Sequence, residues 1–98
     1  MPPPDDSEVK KIEGALSAHY LVVLSEPASD LPLGIFDSPE DAVTYAREVK
    51  ANPDAYADAY YTRLSISPSP YYRHWIAIMV IEFDGQLATR RTVLFELD

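Results

Sequence analysis

The chain has no cysteine, only three glycines in 98 residues, and half as many basic residues as acidic ones. Each shortage excludes something. Without cysteine there is no disulfide framework, no thiolate metal site and no cysteine nucleophile. The glycines, at 14, 34 and 85, are too far apart to build a phosphate-cradling loop. None of the serines sits in the Gly-x-Ser-x-Gly elbow of a hydrolase. Sixteen acids against eight bases give a net charge of −8. An acidic surface repels phosphate backbones, so no direct nucleic-acid binding is expected. No apolar run approaches the roughly 18 to 20 residues of a bilayer-spanning helix. The opening residues, MPPPDDSE, lack the basic and apolar regions of a signal peptide. The expectation is a cytoplasmic protein without membrane association.

What is present describes a small globular protein. Hydrophobic residues make up 47% of the chain, enough for one core in one domain. Nine prolines set rigid turns and stops. Residues 1–6, rich in Pro and Asp, read as a disordered tail, and residues 7–98 as a single α+β domain. Charge is uneven. The first 58 residues carry twelve acids and four bases, whereas the last 40 carry four of each.

Ser7 is placed to cap a short helix over 8–16, with Val9, Ile12 and Leu16 on one stripe. The run AHYLVVLS, residues 18–25, is nearly continuous in apolar residues and predicts an interior strand. Residues 26–32 contain two prolines and read as a loop, and residues 33–36 as a short second strand. GIFDSPEDAVTYAREV follows, and every residue in it has a structural role. Ser38 is an N-cap, Pro39 suits the first helical position, and Glu40 and Asp41 favour the positive end of the helix dipole. Ala42, Tyr45, Ala46 and Val49 then form one apolar stripe of a helix running to about residue 51. Asp37, Glu40 and Asp41 superficially resemble a metal cluster. With no histidine nearby and no glycine-containing calcium-loop spacing, we read helix initiation and expect neither metal nor cofactor. His19 and His74 read as strand-edge or surface residues.

Asn52-Pro53-Asp54 stops this helix and can start a short one, with Tyr56 and Tyr60 one turn apart. From about Ala59 the pattern AYYTRLSIS reads as strand. The last quarter, HWIAIMVIEF-DG-QLATRRTVLFEL, predicts a hairpin of two long strands turning at Asp84-Gly85. A two-residue turn there sets Phe83 opposite Gln86 and Trp75 opposite Leu94. One face then holds Trp75, Ala77, Met79, Ile81 and Phe83 with Leu94. The other holds Ile76, Ile78 and Val80 with Leu87, Val93 and Phe95. Arg90 and Arg91 fall on opposite faces. The expected architecture is an antiparallel sheet of four to five strands, ordered (α)ββαβββ, with one main helix packed on one face.

The strand that ends in GIFDSPEDAVTYA resembles small stand-alone bacterial domains of unknown function, which share a G-[IV]-F-[DS]-S-x-E-x-A entry into a helix. The matched residues are Gly34, Ile35, Phe36, Asp37, Ser38, Glu40 and Ala42, after the strand at 20–24. The resemblance covers about half the chain. It implies an α+β fold and carries no activity or catalytic residue.

Two groups of residues are candidates for function. The first strand of the hairpin is apolar on both faces, and one helix can cover only one, so Ala77, Met79, Ile81 and Phe83 are candidate interface residues. The second group is aromatic and basic: Tyr61, Arg63, Tyr71, Tyr72, Arg73, His74 and Trp75. Aromatic rings beside arginine can stack on a ligand. The same rings can instead seal the core with their hydroxyls in water. No catalytic signature is present. The sequence therefore points to a small non-catalytic interaction or accessory domain, self-associating through an apolar sheet face, with a homodimer or another protein as partner. Two alternatives stand beside it: an acidic nucleic-acid mimic that inhibits a basic partner, and a small-ligand binder or enzyme using residues 71–75.

Overall fold

A computed structural model describes residues 6–27, 29–67 and 74–98. The elements are α1 (Asp6–Ile12), β1 (His19–Glu26), β2 (Ser29–Phe36), α2 (Pro39–Ala51), α3 (Pro53–Leu64), β3 (Ala77–Asp84) and β4 (Leu87–Glu96). The architecture is α+β. The four strands form one antiparallel sheet in the order β2-β1-β3-β4. The C-terminal hairpin is present as β3-β4. Tyr71, Tyr72 and Arg73 lie outside the described residues, as does most of the expected N-terminal tail; Asp6 is already helical.

All three helices pack on the same face of the sheet, with α3 against β2, α2 against β1, and α1 against β4. The core between the layers holds Tyr20, Val22 and Leu24 of β1, Ile78 and Val80 of β3, Leu94 of β4, Ala42, Val43, Ala46 and Val49 of α2, and Val9 and Ile12 of α1. Alternate residues of β1 enter this core because side chains on a strand alternate between faces.

The cap of α2 acts as read, whereas Ser7 does not cap α1, because that helix already begins at Asp6 and Ser7 lies within it. Ser38 is the N-cap of α2, its hydroxyl accepting from the Asp41 amide at 3.2 Å, with Pro39 in the first turn. Val9 and Ile12 are buried on α1, but the helix ends at Ile12, and Leu16 is fully exposed.

Two expectations about element bounds are corrected. The strand expected from Ala59 is helix, because α3 continues to Leu64. Tyr56, Ala57, Tyr60 and Tyr61 recur at helical spacing, and Ala57 is buried against the sheet side. Burying that stripe outweighs the strand preference of the tyrosines. The short second strand starts earlier: residues 29–36 form all of β2, and Pro32 is accommodated because β2 is an edge strand with a register irregularity opposite Val22/Val23. Among the described residues, α1 and α3 join the main helix α2 in the helical layer.

The hairpin register also differs. Asp84 pairs with Leu87, so the turn is Gly85-Gln86, and the positive φ of 63° falls on Gly85, its first central residue. Phe83 consequently pairs with Ala88. Irregularities between Glu82/Phe83 and between Ile78/Met79 then insert one extra β4 residue each. Each insertion flips the faces of the residues beyond it. Val93 therefore lies opposite Met79, while Leu94 is buried in the core among the helices, the reverse of the expected assignment. Trp75 precedes β3 and does not share the Ala77–Met79 face: its indole Nε1 donates to Asp54 of α3 at 2.8 Å.

Candidate functional site

The face of the sheet opposite the helices can be read as four rows across the strands. Written from β2 to β4, they are Ile35–Leu21–Ile81–Arg91, Pro32–Val23–Met79–Val93 and Asp30–Ser25–Ala77–Glu96, with His19–Phe83–Ala88 at one end. Paired residues in an antiparallel ladder project to the same side, so the rows form one surface. The four candidate interface residues Ala77, Met79, Ile81 and Phe83 thus come together, as their spacing of two requires. The structure adds Leu21, Val23, Ile35 and Val93 to them.

The centre of this face is buried although no described helix covers it: Val23 is 2% exposed and Met79 5%. Arg91 reaches across part of it. Its Nε donates to the Met79 sulfur at 3.2 Å, and a terminal nitrogen donates to Asp30 at 3.1 Å. The Ser25 hydroxyl donates to the other Asp30 oxygen at 2.7 Å. A long side chain from one edge strand thus lies over the centre and ends on an acid of the other edge strand, its methylenes on apolar atoms and its charge paired. Towards the edges the face is open. Ile35 is 61% exposed and Val93 45%, and Leu21, Ile81 and Phe83 are half-buried. At one end the His19 ring meets Asp37 at 2.8 Å.

Of the aromatic and basic candidates that are described, Trp75, Tyr61 and Arg63 do not share this face. Trp75 packs on the core side beside the start of α3, tied to Asp54. His74 meets the C-terminal Asp98 at 3.1 Å. Tyr61 lies about two turns further along α3, edge-on to Tyr60 at 5.5 Å. It borders a shallow depression with Asp58, Thr62, Ser65, Ile66 and Ser67. Arg63 is exposed in the last turn of α3. Among the described members, then, Trp75 is placed at the beginning of α3 and Tyr61 and Arg63 at its end.

A second aromatic group seals the core. Phe36, Tyr45 and Tyr56 stand in sequence, with centroids 4.9 Å and 5.4 Å apart. The Tyr56 hydroxyl donates to Glu48 at 3.2 Å. Burial, reinforced by that bond to a carboxylate, raises the Tyr56 phenol above its ordinary pKa. Burial also raises Tyr45, partly opposed by the positive charge of Arg63.

No described helix is long and apolar enough to cross a membrane. No group of three or more His, Asp or Glu side chains among the described residues is placed to hold a metal ion. Comparison with family models, with curated proteins and with solved structures finds no match to this chain. The reading of function therefore rests on this chain's own geometry.

Proposed function

We propose that the protein is a small non-catalytic interaction domain that self-associates through the face of its sheet opposite the described helices. The observation that carries this reading is the one-sided helical layer. It leaves a continuous strip of Ile35, Leu21, Ile81, Phe83 and Val93 partly in water on the other side. An apolar strip bordered by charge is the usual form of a protein contact surface. The net charge of −8 opposes the approach of two copies. On this face, however, Arg91 is paired with Asp30, which offsets part of that repulsion.

The test is absolute mass in solution by light scattering over a concentration series. The expected result is a dimer that dissociates on dilution. Ile35→Glu, at an exposed position, is expected to yield a folded monomer. A wild-type chain that stays monomeric at every concentration overturns the reading.

A further inference from the structure

The two edges of the sheet are built differently. β2 carries Pro32, which has no N–H to offer, and its ladder is irregular beside Val22/Val23. Both features blunt an edge against further pairing. β4 is ten residues long, from Leu87 to Glu96, with neither proline nor glycine. Among the described residues nothing pairs with its outer side. Its bulges break the ladder, yet Arg90 to Val93 pair regularly with Glu82 to Met79. An edge strand of this kind turns N–H and C=O groups outward at alternate residues, which only another extended chain can satisfy in series.

Charge is also gathered at this edge. Of the eight basic residues in an acidic chain, Lys11, Lys50, Arg90 and Arg91 lie on β4 or against it. Two of them are committed. Arg90 donates to the Ile12 and Glu13 carbonyls at the end of α1, and Arg91 reaches Asp30 on the other face. The other two line a groove of about 340 Å³ beside residues 93–96, on the side of α1 and α2. Neither lysine has an ion-pair partner among the described residues. The Lys50 ammonium lies 4.6 Å from the centre of the Phe95 ring. One carboxylate, that of Glu96, also borders the groove. Two cations against one anion leave it locally positive.

We infer that the outer edge of β4 and this groove bind an extended peptide segment bearing carboxylates, which adds as a fifth strand. Backbone pairing to β4 supplies the register. Lys11 and Lys50 select acidic side chains or a terminal carboxylate on the groove side. A long polyanion such as nucleic acid is disfavoured, because it would extend beyond these lysines into the field of the acidic remainder. This inference is independent of self-association, which uses the open sheet face.

The probe is an N-acetylated ten-residue peptide of alternating valine and glutamate, titrated to about 1 mM into the ¹⁵N-labelled chain, with amide shifts recorded by NMR. A peptide of alternating valine and lysine is the control. The expected result is saturable movement of the Thr92–Glu96 and Lys11 amides with the glutamate peptide only. Combined Lys11→Glu and Lys50→Glu substitution is expected to weaken binding roughly tenfold or more, while the amide spectrum away from the groove remains that of the folded chain. Absence of saturable movement, movement centred on β2 or on the open face, or equal response to the lysine peptide overturns the inference. The same β4 shifts appearing on concentration without peptide would assign the edge to a second copy and equally overturn it.

Discussion

At the scale of single residues, Gly14 and Tyr56 show how tightly side chains are constrained around the core. A Cβ at Gly14 would lie 1.3 Å from a carboxylate oxygen of Glu82. That carboxylate accepts from Thr89 at 3.0 Å and stands 3.7 Å from Arg90. Gly14→Ala must push it aside, at a cost of about one to two hydrogen bonds, or roughly 1–3 kcal/mol. In a Glu82→Ala background the same substitution is expected to cost much less, and denaturant unfolding of the four variants measures the coupling. Tyr56 gives a pH dependence. Its folded pKa lies above the ordinary phenol value of 10.0, so the folded state holds the phenolic proton more tightly than the unfolded chain does. That contribution is complete below pH 10 and is lost as pH rises through the folded value. Urea unfolding between pH 9 and pH 11.5 is expected to show falling stability. The fall should be smaller in Tyr56→Phe, with the part due to Tyr45 remaining. An identical fall in both proteins contradicts the assignment.

At the scale of elements, Asn52 serves two helices at once. Its amide closes α2 onto Glu48 and Val49, and its side-chain oxygen accepts from Ala55 at the start of α3. Asn52→Ala keeps the first role and loses the second. The expected cost is about 1 kcal/mol, read as a lower denaturation midpoint with an unchanged slope. The α2 helix and its start were legible in the sequence, because capping acts among neighbours and a 3.6-residue stripe needs no distant partner to be seen. The second half of α3, from Ala59 onward, was not legible. Its tyrosines favour a strand locally, and only the sheet beneath Ala57 makes the helical stripe worth burying. The hairpin was legible as a pair of strands but not in its register, since a turn displaced by one residue and two inserted residues leave the alternation pattern almost unchanged.

At the scale of the molecule, the one-sided helical layer divides the sheet into two chemically distinct faces. Leu24 is fully buried on the helical side. Leu24→Ala is expected to cost about 2–5 kcal/mol, a large share of the stability of so small a domain. Ile35, 61% exposed on the other side, is expected to tolerate glutamate with a change of about 0.5 kcal/mol or less. Thermal or denaturant unfolding of the two variants, beside the mass measurement, separates what holds the fold from what is available for contact. Of the candidate site, the alternating set Ala77, Met79, Ile81 and Phe83 could be read directly from the sequence, because a strand's period of two places such residues together without further information. Leu21, Ile35 and Val93 could not, because their membership depends on which strands are neighbours and in what register.

The sequence by itself determined the local and the compositional: a chain without thiol chemistry, a capped helix at Ser38, apolar strands, a C-terminal hairpin and an α+β class. These follow from residue type and from spacing within a few positions. Tertiary structure alone decided that all three helices share one face, that Arg91 crosses the other to reach Asp30, and that one edge is blunted by Pro32 while the other stands open beside two lysines. Those outcomes depend on pairings between residues 61 and 78 positions apart. Such pairings are set by burial of the whole core rather than by local preference.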